Sequence, residues 1–439
     1  MENKDTKLVR RALPAALLTV FIDAVGVAII IPVYILLVLP GPQRVIPASW
    51  SLQSGFIFLG WLTGIYSLCV FLAAPLLGEL SDRYGRKIVL SISLFGTAIS
   101  YAIFAIGIRE HSIALLIAGR ALDGITGGNI AVARAVIGDI SDKKTRVRNY
   151  GLIGAMFGIG FVLGPYLGGR LASPGIPFIN IFGHQLLKTP SWFNAQTPFW
   201  FAMTLCLIDV AVILFVLPET LRKKINTGKL HLTQSFHNIA RAFKLPDLRP
   251  IFATGFLFSS GFTFFTTFFG INLARRLGFT PSNIADFFSY IGICIAVMQG
   301  VVVPLIAKKF TIHRVLQFSF FGLSLAILGL FLPKNTTQLL LIAPAIPLFV
   351  APIMANMISL VSTIAGPDRQ GEVMGINSSV EALAQGIPAV LSGYLASIYV
   401  GLPLIVSAIT LATAGTVFCV FVKKSKLPKE LQTLHGSTN

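Results

Sequence analysis

Apolar runs of bilayer length recur along this chain, and the basic residues between them fall in alternate gaps. No other feature restricts the possible folds so tightly. About 20 apolar residues in a helix match the hydrocarbon core of a bilayer. In lipid, only helices and closed barrels satisfy their own backbone hydrogen bonds. Twelve helices of ~20–27 residues fit the runs, at approximately 11–38, 54–79, 88–107, 112–138, 149–171, 197–217, 248–272, 282–307, 313–332, 337–363, 371–397 and 401–422. The bases gather in Lys4–Arg11, Arg83–Lys87, Lys143–Arg148, Arg222–Lys244, Lys308–Arg314 and Lys423–Lys429. Lys and Arg collect on the cytoplasmic side of membranes, so the alternation predicts an all-α polytopic membrane protein with both termini cytoplasmic.

Composition excludes the main soluble alternatives. The 439 residues are 54% hydrophobic and only 12% charged, against about 25% charged in a soluble domain. A net charge of +18 would suggest nucleic acid in a soluble chain. Here the bases sit in alternate loops, with no exposed aromatics interleaved among them, so no nucleic-acid partner is expected. Cys69, Cys206, Cys294 and Cys419 lie scattered through apolar runs, without metal or redox spacing. They read as small buried hydrophobes, and no metal or other cofactor is expected. Arg10 and Arg11 precede an apolar stretch too long for a signal core, so the first segment reads as an anchor and not a cleaved leader.

The longest hydrophilic break is Leu221–Asp247. It divides the chain into bundles of six helices at 1–220 and 248–439, with a cytoplasmic linker at 221–247. The halves repeat weakly: Arg86-Lys87 before Ile88 matches His313-Arg314 before Val315, and Tyr166–Ser173 matches Gly393–Ser397. Such pseudo-symmetric repeats predict a substrate site near the bilayer midplane. Of the outward loops, 39–53 and 172–196 exceed a minimal turn. The second carries Phe178, Leu186, Leu187, Trp192 and Phe193, which suits either an interfacial segment or an ordered loop without a role.

Residues 78–90, from Gly78 to Leu90, pack two acids, three bases and two glycines between two membrane-length runs. Helices 2 and 3 joined by a tight cytoplasmic turn would explain so charged a knot. Asp82 would face the positive N-terminal end of helix 11 near Gly371, and Arg86 or Arg83 would meet Asp139, forming a latch. The stretch resembles the loop 2–3 signature of the major facilitator superfamily, whose marked positions are Gly78, Asp82, Arg83, Gly85, Arg86 and Lys87. Ser81–Lys87 is especially similar to the drug/proton antiporters, tetracycline exporters included.

Asp23 lies twelve residues beyond Arg11, roughly 18 Å along a helix, near mid-bilayer. An ionised Asp there costs about 2.5–3.5 kcal/mol on insertion scales, so it faces a partner or a wet cavity, or holds a proton. In helix 4, Arg120 and Asp123 are three apart and share a face. Arg120 cannot lose its proton and needs an anion, for which Asp23 and Asp123 are both candidates. Helix 11 presents Asn377, Glu381 and Gln385 at intervals of four, and Glu381 meets the same desolvation cost. Asp209 in helix 6 reads as a local hydrogen-bonding residue. Asn129 and the phenylalanine-rich helix 7, Phe265 among its rings, are candidates for the substrate cavity; the rings suit lipid contact equally well. In helix 5, Gly160, Gly164 and Gly168 fall four apart beside Pro165 and form a smooth ridge for close helix packing.

The resemblance continues through these residues. Asp23–Gly26–Pro32 is similar to the helix-1 motif of the drug/proton antiporters. Arg120 and Gly124 resemble the helix-4 motif associated with proton coupling. Phe157–Gly169 resembles the antiporter motif that marks exporters, and Asp139–Asp142 and Leu217–Thr220 follow the same pattern. Helices 3 and 9 lack the acids of the tetracycline exporters, and Asp123, Asp209 and Glu381 match no family position.

Together these features imply proton-coupled export of a small amphipathic or drug-like molecule by alternating access. Asp23, Arg120, Asp123 and Glu381 would couple the proton. A bacterial inner-membrane monomer is expected, with protons, substrate and lipid as its partners. The alternatives are a proton-linked importer and a receptor or scaffold that moves nothing; a scaffold has no need of acids within the bilayer. No nucleophile–base pair suggests an enzyme.

Overall fold

The computed structural model describes residues 4–141, 145–181, 184–221, 233–246 and 248–422. Asp142, much of the linker at 221–247 and the Lys423–Lys429 cluster lie outside them. The chain forms two compact units. One comprises Met1–Gln234 with Phe279–Ser289, and the other Ser235–Gly278 with Tyr290–Asn439.

The first unit begins with α1 (Lys4–Ile29) and the short α2 (Val33–Val38). Pro32 has no N–H to give the ladder, and the chain crosses the gap with tight bonds such as Val33 N to Ile30 O at 3.0 Å. Next come α3 (Leu52–Tyr84) and α4 (Arg86–Arg109). Ser51 starts α3 by accepting from Ser54 N at 3.2 Å, a cap that satisfies one of the helix's open donors. Ser112 does the same for α5 (Ile113–Thr126), accepting from Leu115 N at 3.4 Å. After α6 (Asn129–Asp139) and α7 (Arg146–Leu171), strands β1 (Pro177–Ile181) and β2 (His184–Lys188) pair antiparallel, with Ile179 opposite Leu186. This hairpin is what the apolar loop 172–196 builds. The unit's helices close with α8 (Thr197–Phe215).

One continuous core joins α1, α4, α6 and α8 through Ala12, Ala16, Val20, Leu90, Leu94, Val132, Val136 and Ile213. Small residues on α1 let its neighbours approach, and in lipid that close packing is what holds helices together.

The second unit contains α9 (Gln234–Lys244), α10 (Arg249–Leu277), α11 (Pro281–Val297), a π-turn at Met298–Val302, and α12 (Val303–Lys309). The first turns of α11 belong to the first unit. Pro304 cannot donate to the Gly300 carbonyl four residues back, and the wide turn falls at that carbonyl. Then follow α13 (Ile312–Gly329), α14 (Thr336–Ile342), α15 (Ala345–Ile398) and α16 (Leu402–Phe421). Phe264, Phe268, Phe269, Phe320, Leu411 and Phe418 are buried at its centre. Ser407 donates to Gly261 O at 2.6 Å, and Ser324 to Ala408 O at 2.8 Å.

Ten helices among the described residues are long and apolar enough to cross a membrane. The run at 112–138 is absent from those ten because its backbone is broken at Gly127-Gly128 into α5 and α6. The run at 371–397 is absent because Asn377, Glu381 and Gln385 lower its hydropathy; it belongs to α15, whose 54 residues amount to roughly 81 Å of helix. The break expected at 364–370 is therefore helical backbone. Hydropathy reports membrane depth, whereas a helix depends on its i to i−4 bonds, and polar residues do not interrupt those.

Candidate functional site

A single residue separates α3 from α4. Gly85 takes φ +114° and ψ 149°, a region essentially confined to glycine. A Cβ there would also lie 2.5 Å from the Glu219 carboxylate. That carboxylate accepts from Arg86 N at 3.0 Å and Lys87 N at 3.3 Å, meeting the open N–H groups and positive dipole end of α4. Leu217–Thr220 thus supplies an anchor for the turn, a role that its motif alone did not reveal.

Arg86 gathers the remaining charges. Its Nη2 meets Asp82 Oδ1 at 2.6 Å, its Nε donates to Asp139 Oδ2 at 3.0 Å, and its Nη1 donates to Ser81 Oγ at 2.6 Å. Thr220 donates to the same Asp139 oxygen at 3.2 Å. Of the two candidate arginines, Arg86 makes the contact to Asp139. Arg83 sits in the last turn of α3, and Gly78 lies one turn before Asp82. Gly85→Ala should lower stability by about 1–3 kcal/mol, which thermal unfolding in detergent would register, because both the backbone and Glu219 must shift.

Arg120 and Asp123 are both buried and pair directly, Nη1 to Oδ2 at 2.7 Å. The guanidinium lies over the Tyr66 ring, 4.4 Å from its centroid, and Nε donates to Leu62 O at 3.4 Å. Arg120 therefore has its anion on its own helix face. Asp23 is buried with Oδ2 lacking any hydrogen-bond partner among the described residues. Asn129, fully buried at the start of α6, faces it, as do the fields of Asp123 and Asp209. Neither amide atom of Asn129 is in a hydrogen bond of ordinary geometry.

The α7 ridge explains how α1 is held. A Cβ on Gly160 would lie 2.6 Å from Ala24 Cβ, and one on Gly164 would lie 2.7 Å from Val25 O. One on Gly168 would run into Ile29 O. Backbone thus meets backbone immediately beyond Asp23, with Pro165 inside the contact. A Cβ on Gly26 would strike the Tyr101 hydroxyl. Tyr66 and Tyr101, both buried, complete the polar centre. Sequence reasoning missed them, since nothing in their local pattern separates them from core aromatics.

The second unit carries the remaining candidates. Asn377 Nδ2 donates to Glu381 Oε1 at 2.8 Å, and Gln385, one turn on, is exposed. Phe265 is buried between neighbours on its own helix, 4.8 Å from the Phe269 centroid and 6.0 Å from Phe262.

The chain is 45% identical over 170 residues to the class C tetracycline resistance protein of Escherichia coli, covering 38% of this chain and 40% of that protein. It matches less than half the length of the class C, B and E tetracycline resistance proteins it resembles. The crystal structure of the human organic anion transporter MFSD10 (TETRAN) superposes with a TM-score of 0.69 at 22% identity, covering 93% of this chain and 99% of that one. That of a D-xylose–proton symporter gives 0.73 at 15% identity, covering 97% and 99%. The model of the Major Facilitator Superfamily matches residues 16–387, and the chain belongs to that family.

Proposed function

We propose that this transporter exports a small amphipathic molecule in exchange for protons, by alternating access. The observation that carries the reading is Asp23, a buried acid with no cation beside it among the described residues, held on α1 against the glycine ridge of α7. A carboxyl so placed is stable when protonated and costly when ionised, as a proton carrier requires. Likeness to the tetracycline resistance proteins supports export, while the absence of acids in helices 3 and 9 argues against tetracycline itself. Arg120, Asp123 and Glu381 assist the coupling, and Asn129, Asn377, Gln385 and Phe265 contribute to substrate binding. The protein acts as a monomer in a bacterial inner membrane with both termini cytoplasmic, and 221–247 links bundles at 1–220 and 248–439.

Inverted vesicles test this reading. Acidifying the lumen should drive substrate uptake, and a protonophore should abolish it, across a panel of cations, drugs and metabolites. The second reading is a proton-linked importer, since a D-xylose–proton symporter shares this fold. Uptake into right-side-out vesicles driven by an inward proton gradient would establish it in place of export.

In the same reading Gly78, Asp82, Arg83, Gly85, Arg86 and Asp139 form a conformational latch. Asp82→Asn leaves Arg86 its contact with Asp139, so the variant should fold and bind substrate normally. Transport should slow roughly threefold to tenfold, equivalent to about 0.7–1.4 kcal/mol. Unchanged initial rates in vesicles would remove the latch.

A further inference from the structure

The helix α9, Gln234–Lys244, carries three stripes of residues at helical spacing. Ser235, Asn238 and Ala242 are its buried residues. Phe236, Ala240 and Phe243 form a second stripe and His237, Arg241 and Lys244 a third, all of them exposed. At 3.6 residues per turn the basic stripe lies roughly 100° round from the phenylalanines. The helix has no acid.

An amphipathic helix on a soluble protein buries its large apolar residues and turns its polar ones to water. α9 does the reverse. Its small and polar side is fastened within the second unit, Asn238 Nδ2 donating to Ser379 Oγ of α15 at 3.1 Å. Phe236 and Phe243 are left 59% and 64% exposed. Packing within the chain does not use these rings, but the place of the helix in the chain gives them a setting. Leu248 N and Arg249 N donate to Leu245 O at 3.2 and 2.8 Å. A tight corner thus joins α9 to α10, which has the length and apolarity of a membrane pass. Only 245–248 separate the two helices, at most about 14 Å of extended chain. α9 is therefore held near the level at which α10 enters the bilayer. At that level, phenylalanines with bases beside them match the boundary between acyl chains and anionic headgroups.

We propose that the exposed face of α9 is a membrane-surface site that binds anionic phospholipid. Phe236 and Phe243 reach the acyl-chain boundary, while Arg241 and Lys244, with His237 beside them, meet the lipid phosphates. The arginine brings a planar fork to a phosphate and the lysine a point charge. Through Asn238 the opposite side of the same helix is tied to α15, so one short rod has lipid on one side and protein on the other. The site requires only that α10 spans the bilayer. It does not depend on the substrate, the direction of transport or proton coupling.

The full-length protein in nanodiscs of phosphatidylcholine and phosphatidylglycerol tests both parts of the site. With the four native cysteines replaced by alanine, Phe243→Cys carries a nitroxide label. Oxygen, which concentrates in the bilayer, should relax the label more than a water-soluble nickel chelate does. A label relaxed mainly by nickel would place the face in water and overturn the proposal. For the headgroups, phosphatidylglycerol bearing a photoactivatable crosslinker should label α9 in preference to the matching phosphatidylcholine, with labelling elsewhere in the chain as reference. Arg241→Gln with Lys244→Gln should reduce that preference by roughly tenfold to thirtyfold. Arg241→Lys with Lys244→Arg should keep it. An undiminished preference in the neutral pair would overturn the headgroup contact. Should that pair fail to fold, each single substitution should lower the preference roughly fivefold, and no change in either counts against the proposal. Crosslinks from α9 to a second copy of the chain, lost in Phe236→Ser with Phe243→Ser, would make the face a protein interface and overturn the lipid assignment.

Discussion

Asp23→Asn is expected to fold, insert and exchange substrate across the membrane, yet lose accumulation driven by a pH gradient. The geometry separates this outcome from a structural role. Arg120 already has Asp123 at 2.7 Å, so neutralising Asp23 strands no buried cation. The amide resembles the protonated acid in shape and charge and removes the site where a proton would be carried. For one proton exchanged per neutral substrate, each unit of pH difference supports about tenfold accumulation, or about 1.4 kcal/mol. That ratio should fall to unity in the variant. Counterflow and gradient-driven uptake measured on the same proteoliposomes decide the matter. Normal pH-driven accumulation would move the proton to Asp123 or Glu381.

Arg120→Gln is expected to be the most destabilising neutral substitution in the first unit. It leaves Asp123 buried without its partner and takes the guanidinium from the Tyr66 face and the Leu62 carbonyl. Removing one member of a buried pair costs about 3–5 kcal/mol, enough to lower expression and the unfolding temperature in detergent sharply. Arg120→Gln combined with Asp123→Asn should recover much of that loss, because no uncompensated charge remains. Recovery by Asp23→Asn in place of Asp123→Asn would mean that Asp23 is the true partner.

The membrane passes were legible because apolar length is set by bilayer thickness, and the charged knot at 78–90 was legible because no apolar environment accepts it unpaired. That Arg120 and Asp123 share a face followed from their spacing of three. The choice between Asp123 and Asp23 did not, since it depends on how α1 sits against its neighbours. The Gly127-Gly128 break was hidden because glycines do not interrupt an apolar run. The hairpin at 177–188 was hidden because its apolar residues suit an interfacial segment equally well.

The break in the fourth pass also has a mechanical meaning. Gly127 and Gly128 form a joint seated against α3, where a Cβ on Gly128 would come within 2.8 Å of Ala74 Cα. Beyond it α6 is a rod of 11 residues, roughly 16 Å long. Asn129 sits at its fulcrum beside Asp23, and Asp139 sits at its tip against Arg86. A swing of about 10° at the joint would carry the tip roughly 3 Å, as far as the Arg86–Asp139 contact is long, while the fulcrum end moves less than about 1 Å. In the proposed coupling α6 would be a lever with its short end at the buried acid and its long end at the charged turn, giving a small change of charge near Asp23 leverage on the contact at Arg86.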